Sequence, residues 1–338
     1  MVSNTDLLSL ITWLQEKEIP FQERVDIARL SQIKAGGAFL VLVKPATEAQ
    51  LAALLQVLAE RALPYKVIGN LSNVLFRDGE IRTVVISTRN LRALSFENNG
   101  MVVAEAGVML PTLARRLVQA GYKGFAGLIG VPASVGGAVF MNASCYGDAT
   151  SDYLVNVRCL DRVGKVYVLN TIDLNFDWRH SAFHDRLAGF IIIAVRFRPV
   201  LGNPETEIQR EEAIKVHRRI YQENSLPNLG STFGTTNIYG DIAKNFPVYK
   251  AGLMMVKVLT RVAGGDRHHR FASLARWFTK AYFHLKGTPT IDFSNSTFNC
   301  VVNRGGANAD EIIEFVLTVH KAIHKCVPLE NELLKDIE

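Results

Sequence analysis

Small residues dominate one stretch of this 338-residue chain. Residues 124–147 read GFAGLIGVPASVGGAVFMNASCYG and hold six glycines and one proline, with Asn142 near the end. Glycine accepts positive φ, and backbone N–H groups without covering side chains can lie directly against phosphate oxygens. The alternative is a tight turn between core elements, which needs only about two to five special residues. The length of this glycine run therefore favours a cradle for a large flat or pyrophosphate-bearing ligand.

A second loop could serve the same ligand. Residues 65–76 read YKVIGNLSNVLF, which predicts a strand that runs into a loop of short amide and hydroxyl side chains. This first glycine loop, Gly69–Asn73, offers N–H groups and small polar side chains to a pyrophosphate. Strand-end turns rich in Asn and Ser are common, so these residues alone leave both interpretations open.

Composition indicates a soluble globular chain, with 48% hydrophobic and 21% charged residues. The net charge is +6, and the Lys and Arg residues read as scattered rather than striped, so no nucleic-acid partner is expected. A modest basic excess suits a polyanionic substrate such as a nucleotide sugar or a dinucleotide. Ordinary surface charge explains the number at least equally well.

Cysteine spacing and the N-terminus predict a cytoplasmic protein. Four cysteines stand far apart with no C-x-x-C pair, which argues against a disulfide framework and against a metal site. The first 20 residues lack a basic start and carry Asp6 and Glu16, so they predict a helix rather than a signal peptide. No apolar run approaches membrane-spanning length, and we expect no membrane partner.

Hydrophobic periodicity predicts mixed helices and strands along the whole chain. Helices are predicted near residues 7–14, 49–61, 110–121, 207–222 and 308–325, and strands at 39–43, 65–68, 83–87, 101–106 and 190–197. Residues 154–198 read as mainly β with a hairpin at 163–165, residues 201–206 as a polar linker, and residues 230–303 as loops and short elements. The predicted domains are lobes 1–88 and 89–205, a third domain 206–327 and a tail 328–338.

Both glycine-rich segments resemble the flavin-binding motifs of UDP-N-acetylenolpyruvoylglucosamine reductases. The family's second motif reads close to G-I-P-G-T-V-G-G-A-x-x-M-N-A-G-A-Y-G, and the chain matches it in register at Gly130, Pro132, Val135, Gly136, Gly137, Ala138, Met141, Asn142, Ala143, Tyr146 and Gly147. The first motif, G-x-G-S-N-x-L, matches at Gly69, Ser72, Asn73 and Leu75, with Leu71 in place of the second glycine.

This resemblance implies an α+β fold. Its parts would be a two-lobed FAD-binding domain of the vanillyl-alcohol oxidase (PCMH) type and a C-terminal α/β substrate-binding domain. FAD would be bound non-covalently, NADPH would be the electron donor, and no metal is implied. The implied cofactor-binding residues are Gly69, Asn70, Leu71, Ser72, Asn73, Gly130, Val131, Pro132, Ser134, Gly136, Gly137 and Asn142.

The resemblance also implies three catalytic residues. Arg179 matches the Arg of an aromatic-Arg-x-S-x-F pattern and would stabilise an enolate at the substrate carboxylate. Ser231, in LPNLGSTFG, would donate a proton to the carbanionic carbon after hydride delivery. Glu332, in VPLENELL, would act with Arg179 on the enolpyruvyl carboxylate or its proton. Without the resemblance, these residues read as a surface Arg, a loop Ser and a residue of an acidic tail.

The implied activity is reduction of the enolpyruvyl group of UDP-N-acetylglucosamine enolpyruvate to UDP-N-acetylmuramate, in peptidoglycan precursor synthesis, by a monomer or weak oligomer. Two departures keep alternatives open. Gly234-Thr235-Thr236 replaces the family's Lys-Asn-Pro after Ser231, and a basic, aromatic segment at 264–287 has no family counterpart. The alternatives are a divergent FAD oxidoreductase with another substrate and a non-catalytic flavin-binding protein.

Overall fold

The computed structural model describes residues 2–262 and 267–334. The helices are α1 (Asn4–Glu16), α2 (Ile27–Leu30), α3 (Glu48–Glu60), α4 (Leu110–Gln119), α5 (Val135–Phe140), α6 (Pro204–Tyr221), α7 (Ile238–Asn245), α8 (Pro247–Val262), α9 (Arg267–Tyr282) and α10 (Ala309–Ala322). The strands are β1 (Phe21–Asp26), β2 (Ala38–Val43), β3 (Tyr65–Ile68), β4 (Val74–Phe76), β5 (Glu80–Ile81), β6 (Val84–Ser87), β7 (Leu94–Phe96), β8 (Val102–Glu105), β9 (Ser144–Cys145), β10 (Asp148–Ala149), β11 (Leu154–Leu160), β12 (Val166–Asn170), β13 (Ile191–Phe197), β14 (Ile291–Phe293), β15 (Val301–Asn303) and β16 (Glu332–Leu334).

The first sheet comes from residues before position 88. Its strands follow the order β1-β2-β6-β3, with β5 beside β2, and all pairs except β1–β2 are parallel. Thr47 caps α3 by accepting a hydrogen bond from Gln50 N at 3.2 Å. Leu10 of α1 and Leu51 of α3 pack in one core with Val41 of the sheet.

The second sheet is antiparallel and uses residues 94–197. Its strands follow the order β12-β11-β13-β8-β7. The predicted hairpin is confirmed: Asp161 N donates to Lys165 O, and Gly164 between them has φ 82°. Helix α4 packs against this sheet through Leu113, in one core with Val195.

The C-terminal third has a core of its own and then returns to the first glycine loop. Phe233, Phe293 and Phe298 are fully buried there, in a cluster that also includes Leu75 of β4. Strand β16 pairs in parallel with β4, so the residues around Glu332 lie beside the first glycine loop. This pairing joins the tail to a segment more than 250 positions earlier in the chain.

Two predictions for this third were wrong. The segment 201–206 is not a linker throughout, because α6 begins at Pro204 and Asn203 caps it by accepting from Thr206 N at 3.2 Å. Its polar residues are a helix cap and first turn, with proline at the first helical position. Residues 230–303 hold α7, α8 and α9 rather than short elements. Helix α8 carries large apolar residues on its exposed as well as its buried side, so the apolar positions alone do not outline its buried stripe.

The domain limits 1–88, 89–205, 206–327 and 328–338 remain a prediction, although each five-stranded sheet lies within one of the first two ranges. Among residues 2–262 and 267–334, no helix has both the length and the apolar character needed to cross a membrane. Residues 264–266 of the basic, aromatic segment and residues 335–338 of the tail lie outside the described residues.

Candidate active site

A cavity of about 1140 Å³ lies where the two glycine-rich segments meet the C-terminal third. This exceeds the roughly 300–1,000 Å³ of typical ligand pockets, so it has room for a cofactor and a substrate. Arg179, Ser231 and Glu332 all line it. Eleven of the twelve predicted cofactor-binding residues also line it: Gly69, Asn70, Leu71, Ser72, Asn73, Gly130, Val131, Pro132, Ser134, Gly136 and Gly137.

Close contacts join the first glycine loop to the glycine run. Ser134 caps α5 by accepting from Gly137 N at 3.3 Å. Asn70 donates its side-chain amide to Pro132 O at 2.6 Å. A Cβ on Gly69 would lie 2.6 Å from Ser134 Oγ, which is closer than side-chain carbons approach. The missing side chain at position 69 therefore sets the distance between the two segments.

Other glycines leave open space at the cavity wall. A Cβ on Gly137 would meet only Ser134 Oγ, at 3.4 Å, and a Cβ on Gly230 would meet nothing within 4 Å. Bare backbone beside the short side chains of Ser72 and Asn73 is suited to a pyrophosphate, because N–H groups and small polar groups stay accessible to its oxygens. These residues fit the FAD that the resemblance implies.

Leu71 takes the place of the family's second glycine and keeps the backbone shape of a glycine loop. Its φ is 50°, in the left-handed region that glycine adopts freely. Its side chain is 4% exposed and belongs to the cluster of Ile27, Phe39 and Ile68. The leucine therefore adds apolar burial under the loop and does not fill the cavity.

Asn142 is the one predicted cofactor-binding residue outside the cavity lining. Its side-chain nitrogen donates to Asp177 O at 3.0 Å, and its Oδ1 is buried without a hydrogen-bond partner. A buried acceptor of this kind is normally satisfied by a ligand or by water. Its contact with FAD stays a prediction, and the observed bond joins the glycine run to the loop that carries Arg179.

Arg179 is paired with Glu330 rather than with Glu332. Arg179 Nε lies 2.9 Å from Glu330 Oε1, and the two side chains are 23% and 11% exposed. Burial raises the pKa of Glu330, and the positive charge of Arg179 opposes this rise. Arg179 has φ 54°, a strained value for a residue with a side chain, of the kind that collects at functional sites.

Glu332 faces a histidine that the sequence analysis did not select. His184 Nε2 lies 3.6 Å from Glu332 Oε1. Burial lowers the pKa of His184, but the nearby Glu332 carboxylate and the Ser181 backbone carbonyl outweigh burial and leave the pKa raised. His184 lies in residues 177–185, the segment that also carries Arg179, and Glu332 lies in the tail. Both segments were selected from the sequence, but only the pairing of β16 with β4 brings the two side chains together.

Two asparagines tie Ser231 to the tail and to the first glycine loop. Asn331 donates its side-chain amide to Ser231 O at 3.1 Å, Leu229 O at 3.2 Å and Asn73 Oδ1 at 2.9 Å. Asn73 in turn donates to Glu330 O at 3.0 Å. The sequence analysis missed Asn331, which stands between Glu330 and Glu332 and carries no charge.

A helix start replaces the family's Lys-Asn-Pro. Thr235, Thr236 and Asn237 line the cavity, and Asn237 caps α7 by accepting from Gly240 N at 3.1 Å. The Thr235 hydroxyl donates to Asp241. Hydrogen bonds from Lys244 and then Thr235 lower the pKa of Asp241, so the carboxylate of this turn is held charged. The loop therefore presents hydroxyl and amide groups to the cavity in place of a lysine.

Arg218 of α6 is a second cation at the cavity wall that the sequence analysis missed. Its Nη2 donates to Gly127 O at 2.8 Å, across 91 positions of sequence, and its guanidinium lies 5.1 Å from the centre of the Tyr146 ring. A Cβ on Gly130 would overlap the guanidinium. Gly130 is thus required by packing against α6 as well as by any ligand.

Comparison with known proteins places these features in a family. A family described as FAD binding domain matches residues 39–170. The UDP-N-acetylenolpyruvoylglucosamine reductase of Clostridioides difficile (strain 630) is 31% identical over 338 residues, covering 98% of each chain. That of Paracoccus denitrificans (strain Pd 1222) is 34% identical over 288 residues, covering 85% of each. The crystal structure of the UDP-N-acetylenolpyruvylglucosamine reductase (MurB) from Thermus caldophilus has the same fold, with a TM-score of 0.69 at 24% identity, covering 93% of this chain and 99% of that one. The chain therefore belongs to the UDP-N-acetylenolpyruvoylglucosamine reductase family.

Proposed function

We propose that this chain reduces the enolpyruvyl group of UDP-N-acetylglucosamine enolpyruvate to give UDP-N-acetylmuramate, using FAD and NADPH. The observation that carries the proposal is one cavity lined by both flavin-type glycine segments and by Arg179, Ser231 and Glu332. Family membership supports the same reaction. We propose a cytoplasmic protein, monomeric or weakly oligomeric, with no nucleic-acid partner.

Flavin, when bound, supplies hydride transfer. The residues of the chain act on the substrate. Arg179 pairs with the enolpyruvyl carboxylate, where a guanidinium stabilises negative charge as it spreads from the neighbouring carbon. Ser231 donates its hydroxyl proton to that carbanionic carbon. Glu332 acts with Arg179 on the carboxylate or its proton, and His184 lies within reach of Glu332.

Glu330 competes with the substrate for Arg179. The two are an ion pair in this structure, and burial raises the pKa of the Glu330 carboxyl. When a substrate carboxylate takes the guanidinium, Glu330 loses the cation that favours its charged form, so it binds a proton more readily. Substrate binding should therefore raise the pKa of Glu330 further.

FAD is proposed to be non-covalent. Cys145 lies within the glycine run and lines the cavity. Burial raises the pKa of the Cys145 thiol against the lowering effect of Arg218 and Arg179. A thiol held protonated is a poor nucleophile. Denaturation should release all flavin into solution, and flavin retained on the chain would refute this part alone.

The direct test is the visible spectrum of the purified chain, followed by NADPH oxidation with and without the enolpyruvyl nucleotide sugar. We expect a flavin spectrum and oxidation that depends on the nucleotide sugar. A colourless chain that takes up no FAD would exclude the flavoenzyme. A flavoprotein that ignores the nucleotide sugar would instead identify a divergent oxidoreductase or a non-catalytic flavin-binding protein.

The divergent oxidoreductase remains a second candidate because Gly234-Thr235-Thr236 removes a lysine and an amide beside Ser231. One charged hydrogen bond contributes about 1.5–3 kcal/mol, or roughly ten- to a hundredfold in affinity. If recognition is degraded, placing Lys-Asn-Pro at 234–236 should lower the Michaelis constant for the nucleotide sugar markedly. The control is Thr235→Ser with Thr236→Ser, which keeps the hydroxyls. No change on restoration, with good starting activity, would exclude the divergent enzyme.

A further inference from the structure

The net charge of the chain is concentrated in one helical hairpin. Residues 247–282, which span α8 and α9, contain seven Lys or Arg residues and one acidic residue. The net charge of this segment is therefore +6, equal to that of the whole chain. Basic residues are spread along the chain, as expected, but acidic residues balance them over the rest of the chain and not in this segment.

The exposed side of α8 is apolar. Tyr249, Leu253, Val256 and Thr260 form its buried stripe. The exposed large apolar residues outside this stripe are Val248, Met254, Met255, Val258 and Leu259, with exposed fractions of 54–72%. A helix that faces water normally carries polar residues there, and a contiguous exposed apolar face marks an interaction surface.

A row of basic residues borders this apolar face. Lys250, Lys257 and Arg261 are exposed and recur at intervals of seven and four residues, which places them on one side of the helix. Within the part of the chain that the structure describes, none of the three forms an ion pair with a carboxylate. The exposed positions of α8 hold only apolar and basic residues, without Asn, Gln, Ser or an acid.

Helix α9 also exposes apolar side chains next to basic ones. Trp277 is 67% exposed, and Leu274, one turn earlier, is also exposed. Beside Trp277 lies a cavity of about 380 Å³ that Arg276, Lys280 and Lys286 line. Asp292 also lines it and pairs with Lys280 at 2.6 Å, so the lining keeps a positive balance suited to an anionic group.

We infer that the α8–α9 hairpin docks on the surface of an anionic lipid bilayer. Apolar side chains and tryptophan enter the boundary between headgroups and acyl chains, while a basic border pairs with lipid phosphates. A second copy of this chain is a poor occupant because its hairpin carries the same charge of +6. Apart from the basic row, the exposed side of α8 offers an acidic protein no amide, hydroxyl or carboxyl partners. This inference replaces the expectation of no membrane partner and involves surface contact, not a spanning helix.

The test is co-sedimentation of the FAD-loaded full chain with vesicles of equal parts phosphatidylglycerol and phosphatidylcholine, compared with phosphatidylcholine alone. We expect binding to the anionic vesicles that weakens with salt. Each basic residue near such a surface contributes about fivefold in binding. Lys250→Glu with Arg261→Glu should therefore lower binding at least about 25-fold, and Met255→Ser with Leu259→Ser should also abolish most of it.

The matched controls lie on other surfaces. Lys17→Glu with Lys321→Glu makes the same change in net charge at two exposed positions, and Ile172→Ser removes an exposed apolar residue. These controls should keep binding, and all variants should keep bound flavin and activity because the hairpin substitutions lie outside the catalytic cavity.

Three results would overturn the inference: no sedimentation of the wild-type chain at low salt, an equal loss in the charge control, or unchanged binding of the Met255/Leu259 variant. Equally tight binding to soluble polyglutamate would show a site for an acidic polypeptide instead. Since activity is measured separately, failure of the lipid test leaves the proposed reductase function standing.

Discussion

The glycine segments and the Ser231 loop, residues 228–232, border one cavity but are held in place by opposite means. In the glycine segments the contacts depend on missing side chains: a Cβ on Gly136 would lie 2.9 Å from Ala106 Cβ, and one on Gly69 would lie 2.6 Å from Ser134 Oγ. Around Ser231, side-chain amides of the buried Asn299 and the half-buried Asn331 hold the backbone. Asn299 accepts from Phe233 N at 2.8 Å and donates to Phe233 O at 2.9 Å, and Asn331 holds Ser231 O.

Because of this difference, substitutions in the two regions should have different effects. Adding an atom to a packed glycine segment forces backbone or neighbours to move, which costs about 1–3 kcal/mol and affects the whole lobe. Removing an amide leaves carbonyl and N–H groups without partners, which costs about 1–3 kcal/mol per buried group but acts mainly on the loop it holds. We therefore expect damage to the first region to affect folding and flavin binding, and damage to the second to affect the step after flavin reduction.

Ser231→Ala is expected to give the largest difference between the two half-reactions, flavin reduction and flavin reoxidation. Ser231 is assigned a proton transfer that follows hydride delivery, and general acid catalysis typically contributes about 10²–10⁴-fold. Reoxidation of the reduced enzyme by the nucleotide sugar should slow by that factor. Stopped-flow absorbance at the flavin band measures both half-reactions, and the rate of reduction by NADPH should stay close to wild type. An equal loss of rate in both half-reactions would contradict the assignment of Ser231 as the proton donor.

Asn331→Ala should reproduce part of that effect from a distance. The change leaves Ser231 O, Leu229 O and Asn73 Oδ1 without their shared donor, so the loop loses its fixed position relative to the tail. A loss of about 1–3 kcal/mol of positioning corresponds to roughly five- to a hundredfold in the second half-reaction.

Asn308→Ala serves as the amide control, because Asn308 caps the distant helix α10. It should lower the free energy of unfolding and leave the ratio of the half-reactions unchanged. If Asn331→Ala lowered the rates of both half-reactions equally, the proposed difference between the two regions would be wrong. Asn331 would then stabilise the flavin-binding loop as much as it stabilises the Ser231 loop.

The same contrast explains what the sequence could predict. Gly69, Gly130, Gly136 and Gly137 are visible in the sequence as residues with no side chain, so they could predict a ligand cradle at the cavity wall, while the fold was implied by the resemblance of their motifs to a known family. Asn331 and His184 act through neighbours that the fold supplies from far along the chain, and an asparagine or histidine alone gives no such signal. The Arg179–Glu330 pair was missed for the same reason, since either glutamate of the tail could have reached the guanidinium.

Gly136→Ala and Gly137→Ala compare packing with flavin binding at two neighbouring positions of one helix. Both add one methyl group to α5. At position 136 the methyl group meets Ala106, so the flavin-free protein should lose about 1–3 kcal/mol of unfolding free energy in urea titration. At position 137 it meets only Ser134 Oγ at 3.4 Å and borders the cavity, so stability should hold while flavin affinity falls. The reverse assignment of effects would mean that α5 lies against the flavin through Gly136.

The smallest expected effect is a pH dependence of stability at the contact between His184 and Glu332, beside the first glycine loop. His184 has a raised pKa in the folded chain, so the stability it contributes is fully present below its unfolded pKa and is lost as pH rises through the folded value. His184→Gln should therefore lower the free energy of unfolding more at about pH 5.5 than at about pH 8.5, which lie on either side of the ordinary histidine pKa. The difference should stay under about 1 kcal/mol, because the pair with Glu332 is partly exposed.

In a Glu332→Gln background the charge that favours the imidazolium is gone, so the pH dependence of the His184→Gln effect should shrink. A pH dependence that survives this change would assign the raised pKa to the Ser181 backbone and Asp185 instead of to the tail.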